Sequence, residues 1–310
     1  MRDKKPKIII VAGPTGSGKS DLGVELSLRL NGEVISADSM QVYRHMDIGT
    51  AKITAEEMRG VPHHLIDIIE PTEPFHVYDF QSRAKAACEE IYSRGRIPIV
   101  VGGTGFYIQA LLYDVDFTSG GEDAELRQKL QSVADEQGPE ALHGLLKGLD
   151  PEAAAELHPN NVKRVIRAIE FARQNGRPIS EHNREQRERI SPYDYRYLVI
   201  ADDREAVYSR IDARVDRMIE AGLEAEVRGL MNMGCTPEMT SMQGIGYKQM
   251  LSYLRGEHDP DEAIRLIKRD SRHYAKRQLT WLNRERDLIK IDRRTYGDSV
   301  SQAEFAAGLL

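Results

Sequence analysis

The 310-residue sequence predicts an α/β chain in which a parallel sheet, covered by helices on both faces, carries an all-helical insertion. Three observations predict it. Short apolar runs alternate with helical stretches over about the first hundred residues, the pattern of strand, crossover helix and strand. A glycine-rich octet joins the first apolar run to the first helix. From about Gly121 to Arg189 the strand-type runs vanish, and helix is broken only by Gly-Pro, Asp-Pro, His-Pro and Arg-Pro.

Strands are expected at Lys7 to Ala12, Glu33 to Ala37, Leu65 to Ile69 and Ile97 to Val101, where β-branched residues cluster. Lys19 to Leu30 and Asp79 to Arg94 repeat their apolar residues at three- and four-residue spacing and read as helices. In the insertion, Asp150 and Pro151 pair an N-cap with a first-turn proline. Asn160 or Asn161 starts the next helix, which should stop at Gly176 as a left-handed cap. Tyr197 to Ala201 then resumes the sheet, helices follow at about Glu205 to Met233 and Asp261 to Arg284, and Leu288 to Ile291 is the last strand. The expected domains are therefore residues 1–118 with 192–310 as the core and 119–191 as the insertion.

The octet Gly13-Pro14-Thr15-Gly16-Ser17-Gly18-Lys19-Ser20 matches G-x-x-x-x-G-K-[ST], between a strand and a helix as that motif requires. A random chain of this length would show the bare pattern only about once in a hundred. The core is thus P-loop NTPase-like. Glycines at Gly13, Gly16 and Gly18 let backbone N–H groups, with those of Thr15 and Ser17, converge on phosphate oxygens, and the helix N-terminus adds partial positive charge. Lys19 neutralises phosphate, and the Ser20 hydroxyl suits Mg²⁺. The octet fixes a diphosphate-containing ligand and leaves the reaction open. ATP, GTP and a prenyl diphosphate share that headgroup, so a small-metabolite or nucleotide kinase and a non-catalytic RNA-binding P-loop protein both remain open.

Asp38, in Asp38-Ser39-Met40-Gln41, falls at the end of the second strand, where ligands of open α/β sheets bind. It suits a general base, a Mg²⁺ ligand or a turn cap. Gly102-Gly103-Thr104-Gly105 ends the fourth strand, and its glycines permit a ligand's close approach or a plain turn. His63 and His64 are adjacent, so their side chains diverge and a shared metal is not expected. Arg210 and Arg214 lie four apart on a helix and suit either a diphosphate clamp or surface ion pairs.

The net charge of −6 conceals segregation along the chain. Residues 121–160 carry −6, 163–189 carry +4 and 265–290 carry +6. Lys163, Arg164 and Arg167 share one helix face, and Arg265, Arg269, Arg272 and Lys276 form a stripe on the last long helix. Both suit a polyanion groove or a solvated face. Cys88 and Cys235 lack partners at metal-ligand spacing, so neither a disulfide framework nor a Cys-based zinc site is expected. No signal peptide or membrane span is expected, and the chain reads as a cytoplasmic protein, expected to be a monomer.

Over nearly its whole length the chain resembles the tRNA dimethylallyltransferases of the bacterial type. The match runs through GPTGSGKS, DSMQVYRHMDIGTAK (Asp38 to Lys52), HHLIDI (His63 to Ile68) and GGTGFY (Gly102 to Tyr107). It continues through DPEAAAELHPNNVKRVIRAIE (Asp150 to Glu170), QGIGYK (Gln243 to Lys248) and YAKRQLTW (Tyr274 to Trp281). The resemblance implies dimethylallyl diphosphate and Mg²⁺ on the P-loop, and as acceptor the exocyclic amine of the adenosine 3′ to the anticodon in the tRNA anticodon stem-loop. It implies Asp38 as general base, Thr104 beside the reacting centre, and Arg210, with Arg214 nearby, on the diphosphate. For tRNA it implies Ser39, Met40, Gln41, Arg127, Lys163, Arg164, Arg167, Gln243, Gly246, Lys248, Arg272, Lys276 and Arg277. Gly16 and Ser20 stand where Ala and Thr are commoner, and Asn161 replaces a usual Asp; no needed functional group is lost.

Overall fold

A computed structural model describes residues 5–117 and 123–309. In it the chain forms two compact units, Met1–Leu112 with Pro192–Leu310, and Tyr113–Ser191. The expected first boundary, at 118/119, lies outside the described residues.

The first unit opens with β1 (Lys7–Ala12), α1 (Lys19–Leu30), β2 (Gly32–Ala37), a short α2 (Ala55–Met58), β3 (His63–His64), α3 (Val77–Ser93), β4 (Ile97–Gly102) and α4 (Gly105–Leu112). After the second unit it resumes with β5 (Asp194–Ala201), α10 (Arg204–Glu220), α11 (Leu223–Asn232), α12 (Tyr247–Leu254), α13 (Pro260–Leu282), β6 (Leu288–Asp292) and α14 (Ser299–Ala307). The six strands are all parallel in the order β3-β2-β4-β1-β5-β6. In register, Ile9 pairs with Ile99 on one side of β1 and Arg196 on the other. Ile8 to Val11, Ile99, Val100 and Leu198 are buried, as a strand covered on both faces requires. Because the strands are parallel, the ends of β1, β2, β4, β5 and β6 deliver Gly13, Asp38, Gly103, Asp202 and Arg293 to one edge of the sheet.

Two elements differ from the sequence expectation. The strand expected at Leu65 to Ile69 ends at His64. Leu65 and Asp67 take φ of 63° and 55°, and Asp67, Ile68 and Ile69 donate their N–H groups to Gln41 and Val42 carbonyls rather than to the sheet. Lys52, with only 6% of its side chain exposed, holds this detour by binding Asp47, Asp67 and the Tyr43 carbonyl. The helix expected from Glu205 to Met233 is two, because Gly222 takes φ 96°.

The second unit contains α5 (Ala124–Gln137), α6 (Pro139–Leu149), α7 (Pro151–Glu156), α8 (Val162–Asn175) and α9 (Ile179–Glu188) around Leu130, Leu142, Leu146, Val165 and Ile169. Asp150 caps α7 by accepting from Ala153 N at 2.9 Å, and it also accepts from the Ser180 amide and hydroxyl. Gly176 ends α8 at φ 65°. Glu170 is fully buried and accepts from Arg127 Nε (2.8 Å), Arg167 Nη1 (2.8 Å) and Asp123 N (2.9 Å). Burial alone would raise its carboxyl pKa; Arg127, the Asp123 amide and Arg167 outweigh that and hold it below the ordinary range. Among the described residues of the chain, no helix is long and apolar enough to cross a membrane.

Candidate active site

The loop from Gly13 to Gly18 is held from outside by side chains that take its carbonyls. Arg210 Nε donates to Gly16 O at 2.9 Å, and Arg293 Nη1 to Ser17 O at 2.6 Å. With carbonyls turned to these arginines, and Gly16 and Gly18 at φ 77° and 86°, the first amides of α1 are left for an anion. Thr15 and Ser17 depart from the expected cradle, because the Thr15 N–H donates at 2.9 Å to Gln278 Oε1 on α13 and the Ser17 N–H at 3.2 Å to Pro14 O. The Ser17 hydroxyl is buried with no hydrogen-bond partner among the described residues.

Inside this frame lies a cavity of about 80 Å³ that Thr15, Lys19, Ser20, Asp38, Gln41 and Arg214 help to line. Beside it a cavity of about 380 Å³ shares Thr15, Asp38, Arg214 and Tyr274 with the first and adds Ser39, Met40, Gln243 and Arg277. Lys19 keeps part of its surface exposed, but protein surrounds its ammonium group. That desolvation lowers its pKa to about 8; Asp38 opposes the shift and Arg214 adds to it. Burial likewise lowers the Arg214 pKa, against the pull of Asp38. Two desolvated cations facing one carboxylate make a pocket short of negative charge, which a diphosphate supplies.

Asp38 follows β2 and uses Oδ1 to accept from Met40 N at 2.9 Å, so it does cap its turn. Oδ2 has no hydrogen-bond partner among the described residues. Thr104 Oγ1 accepts from Ser39 N at 3.3 Å, joining the β4 loop to the β2 loop, and lines neither of the two cavities itself. The glycines around Thr104 admit protein. A Cβ at Gly103 would sit 2.1 Å from Gln278 Nε2, and one at Gly105 2.2 Å from Trp281, so α13 fills the space that sequence reading offered to a ligand. Gln278 Nε2 donates to Gly103 O at 3.0 Å. His63 lines the smaller cavity, with burial lowering its pKa, whereas His64 turns to Glu33.

The family model described as IPP transferase matches residues 41–285, and that described as isopentenyl transferase matches residues 6–68. The chain belongs to the IPP transferase family. Curated relatives are the tRNA dimethylallyltransferases of Lachnoclostridium phytofermentans, 53% identical over 95% of this chain and 94% of the relative, and of Alkaliphilus metalliredigens, 50% identical over 92% and 91%. Among solved structures, the tRNA isopentenylpyrophosphate transferase of Bacillus halodurans is 44% identical, with a TM-score of 0.72 over 98% of this chain and 96% of that one. A eukaryotic dimethylallyltransferase acting on tRNA is 32% identical, with a TM-score of 0.83 over 98% of this chain and 79% of that one. None of these relatives is named a kinase or a non-catalytic binder.

Within this IPP transferase the residues nominated from sequence divide. Thr15, Lys19, Ser20, Asp38, Ser39, Met40, Gln41, Gln243, Arg214 and Arg277 line the two cavities. Arg210 lines neither: besides Gly16 O it binds Asp202, so it braces the P-loop from outside, and the arginine in both cavities is Arg214, one helical turn on. Arg127 and Arg167 are engaged by Glu170, and Arg272 binds Asp212 across from α13 to α10. Lys163, Arg164, Lys248 and Lys276 are exposed, with no ion pair among the described residues. Gly246, at φ 99°, shapes the start of α12. Sequence reasoning did not nominate Thr50 or Glu226, and took in Tyr247 and Gln278 only as members of the segments Gln243 to Lys248 and Tyr274 to Trp281. One signal was present for Gln278, a glutamine in step with Tyr274 and Trp281 on one stripe of α13.

Proposed function

We propose that this chain transfers the dimethylallyl group of dimethylallyl diphosphate to the N6 amine of the adenosine 3′-adjacent to the anticodon in tRNA, releasing diphosphate. The observation that carries this reading is the sharing of Asp38, Thr15, Arg214 and Tyr274 by two adjoining cavities. The smaller one is cationic and suits a diphosphate; the larger suits an allyl chain and a splayed-out base.

In the transfer a bond forms between N6 and C1 of the allyl group while the C1–O bond to diphosphate breaks. Adenine N6 is a poor nucleophile because its lone pair is delocalised into the ring. Asp38 accepts the N6 proton through the oxygen its turn leaves unpaired, and the Met40 amide holds the carboxylate in place. Tyr274, in the wall the two cavities share, and Thr104, which ties the β4 loop to the β2 loop next to Asp38, orient the amine. Charge grows on the leaving diphosphate, and Lys19, Arg214 and the α1 amides stabilise it without having to rearrange. An allylic carbon tolerates positive charge, so positioning suffices where a covalent intermediate would otherwise be needed.

Mg²⁺ fits the donor set. The Ser20 hydroxyl and Asp38 carboxylate line one small cavity, and Mg²⁺ takes one or two protein oxygens together with phosphate oxygens and water. Bound there, it would neutralise phosphate charge. Lys163, Arg164, Lys248, Lys276 and Arg277 are the side chains proposed to meet tRNA phosphates. A cytoplasmic location accords with such a substrate.

The test compares ATP with dimethylallyl diphosphate. The expected result is competitive binding in which dimethylallyl diphosphate is the tighter ligand and alone supports turnover on tRNA. ATP hydrolysis or phosphoryl transfer without prenylation would instead make the chain a kinase.

A further inference from the structure

The loop between Arg44 and Lys52 is strained. His45 and Ala51 take φ of 63° and 42°, a left-handed region that is unfavourable for a residue with a Cβ. Between these two residues the loop is held by Glu226, in the first turn of α11. One carboxylate accepts from three consecutive backbone amides, Asp47 N at 2.9 Å, Ile48 N at 2.7 Å and Gly49 N at 3.0 Å, and from the Tyr247 hydroxyl at 2.6 Å. Successive amides turned to one point form an anion nest, and here the anion is the protein's own. Tyr247 is buried and lies so close that a Cβ on Gly49 would sit 2.5 Å from its ring.

What Glu226 fixes reaches the donor pocket. Gly49, Thr50 and Tyr247 are wall residues of the larger cavity, and the Thr50 carbonyl accepts from Arg214 Nη2 at 3.0 Å. Thr50 is itself tied down, its hydroxyl donating to Met46 O at 2.7 Å. Glu226 is therefore linked to Arg214, which lines both cavities, through the 47–50 backbone: its carboxylate holds the amides of 47–49, and the next carbonyl, that of Thr50, holds Arg214. Arginine has many rotamers and its charge here is desolvated. Without the Thr50 carbonyl, part of donor binding would go into ordering it.

We infer that Glu226 is a positioning residue that sets Arg214 on the donor diphosphate by holding the 47–50 loop, with Tyr247 as its second hold. The inference rests on the prenyl-transfer reading for the identity of the donor, but the hydrogen-bond set can be scored with inorganic diphosphate alone. Glu226→Gln keeps the size and turns one acceptor into a donor facing an amide or the tyrosine hydroxyl. Its dissociation constants for dimethylallyl diphosphate and for inorganic diphosphate, both with Mg²⁺, are expected to rise about tenfold, the cost of misplacing one charged hydrogen bond. Affinity for tRNA should stay within about twofold. Tyr247→Phe, which spares the nest, should raise the donor constant about threefold and serves as the second variant if Glu226→Gln melts.

A merely structural role is separated by the Arg214→Ala background. If Glu226 acts through Arg214, adding Glu226→Gln there should change diphosphate affinity by less than about twofold. Diphosphate affinity unchanged in both single variants, or the same tenfold loss repeated in the Arg214→Ala background, would overturn the inference. Absence of prenyl transfer by the unsubstituted chain would sink the functional reading by a different measurement.

Discussion

Lys19 and Lys163 are both cations in the first turn of a helix, where the helix dipole disfavours positive charge. They meet that cost differently. Lys19 is surrounded by protein, faces Asp38 and Arg214, and has its pKa lowered to about 8. Lys163 is exposed, with Arg164 beside it, no acidic residue in the first turn and no side-chain cap from Asn161. A desolvated cation in a fixed cage acts at short range on one headgroup, whereas exposed cations at an uncapped helix start suit a polyanion that arrives as many weak phosphate contacts. On the proposed reading the same charge serves chemistry in one place and affinity in the other.

The contrast breaks most readily at Asp38, the carboxylate that Lys19 faces. Asp38→Asn keeps the turn and the size but cannot take the proton, so single-turnover prenyl transfer should slow by roughly 100- to 10,000-fold with donor and tRNA binding nearly intact. A rate within about tenfold of the parent would remove Asp38 as the base. If Asp38 serves only Mg²⁺, donor affinity should fall instead, and excess Mg²⁺ should restore much of the rate.

Next in size is the contrast between two arginines on one helix. Arg214→Ala should raise the donor dissociation constant by about 100-fold, because a desolvated guanidinium no longer meets the diphosphate. Arg210→Ala, which removes a brace outside the pocket, should cost about tenfold or less and show more in melting temperature than in affinity. Reversed magnitudes in isothermal titration would restore Arg210 to the diphosphate.

The exposed cations give a smaller effect of a different kind. Replacing Lys163 and Arg164 together by alanine should leave donor binding and melting unchanged and weaken tRNA binding. The log-log salt dependence should become shallower by about 1.4 to 1.8, at 0.7 to 0.9 for each phosphate no longer neutralised. Arg127→Ala should do the opposite. It leaves buried Glu170 one partner short, so it should destabilise the chain by about 1–3 kcal/mol in urea unfolding with little change in salt slope.

The parallel sheet, the phosphate loop and the position of Asp38 were legible in the sequence because each rests on local rules: β-branched runs, a fixed-spacing motif, and a strand end. What was not legible depended on pairs far apart in the chain. No spacing rule says that Arg127 would be drawn to Glu170, or Arg272 to Asp212, since charge counts along a segment cannot see a partner on another helix; Arg167, three residues before Glu170 on α8, is the pair that helical spacing could have shown. Likewise Gly103 and Gly105 promise space, but only the docking of α13 shows that Gln278 and Trp281 fill it. The strand expected at Leu65 to Ile69 failed for the same reason, its backbone groups having been claimed by Gln41 and Val42.

The smallest expected effect concerns pH. In the donor-free chain the Lys19 pKa is depressed to about 8, and the proposed diphosphate contact needs the protonated form, so affinity should be full below that value and fall as pH rises through it. Between pH 7.5 and 8.5 the donor constant should weaken by about threefold, the change in protonated fraction across that interval. Lys19→Arg should flatten the profile.

Prenyl transfer is tested most directly by incubating unmodified tRNA with this protein, dimethylallyl diphosphate and Mg²⁺ and measuring the digested nucleosides by mass spectrometry. The expected product carries one dimethylallyl group on N6 of the adenosine 3′ to the anticodon, absent when the donor is omitted. An unaltered adenosine at that position, with the protein folded and the donor bound, would contradict it.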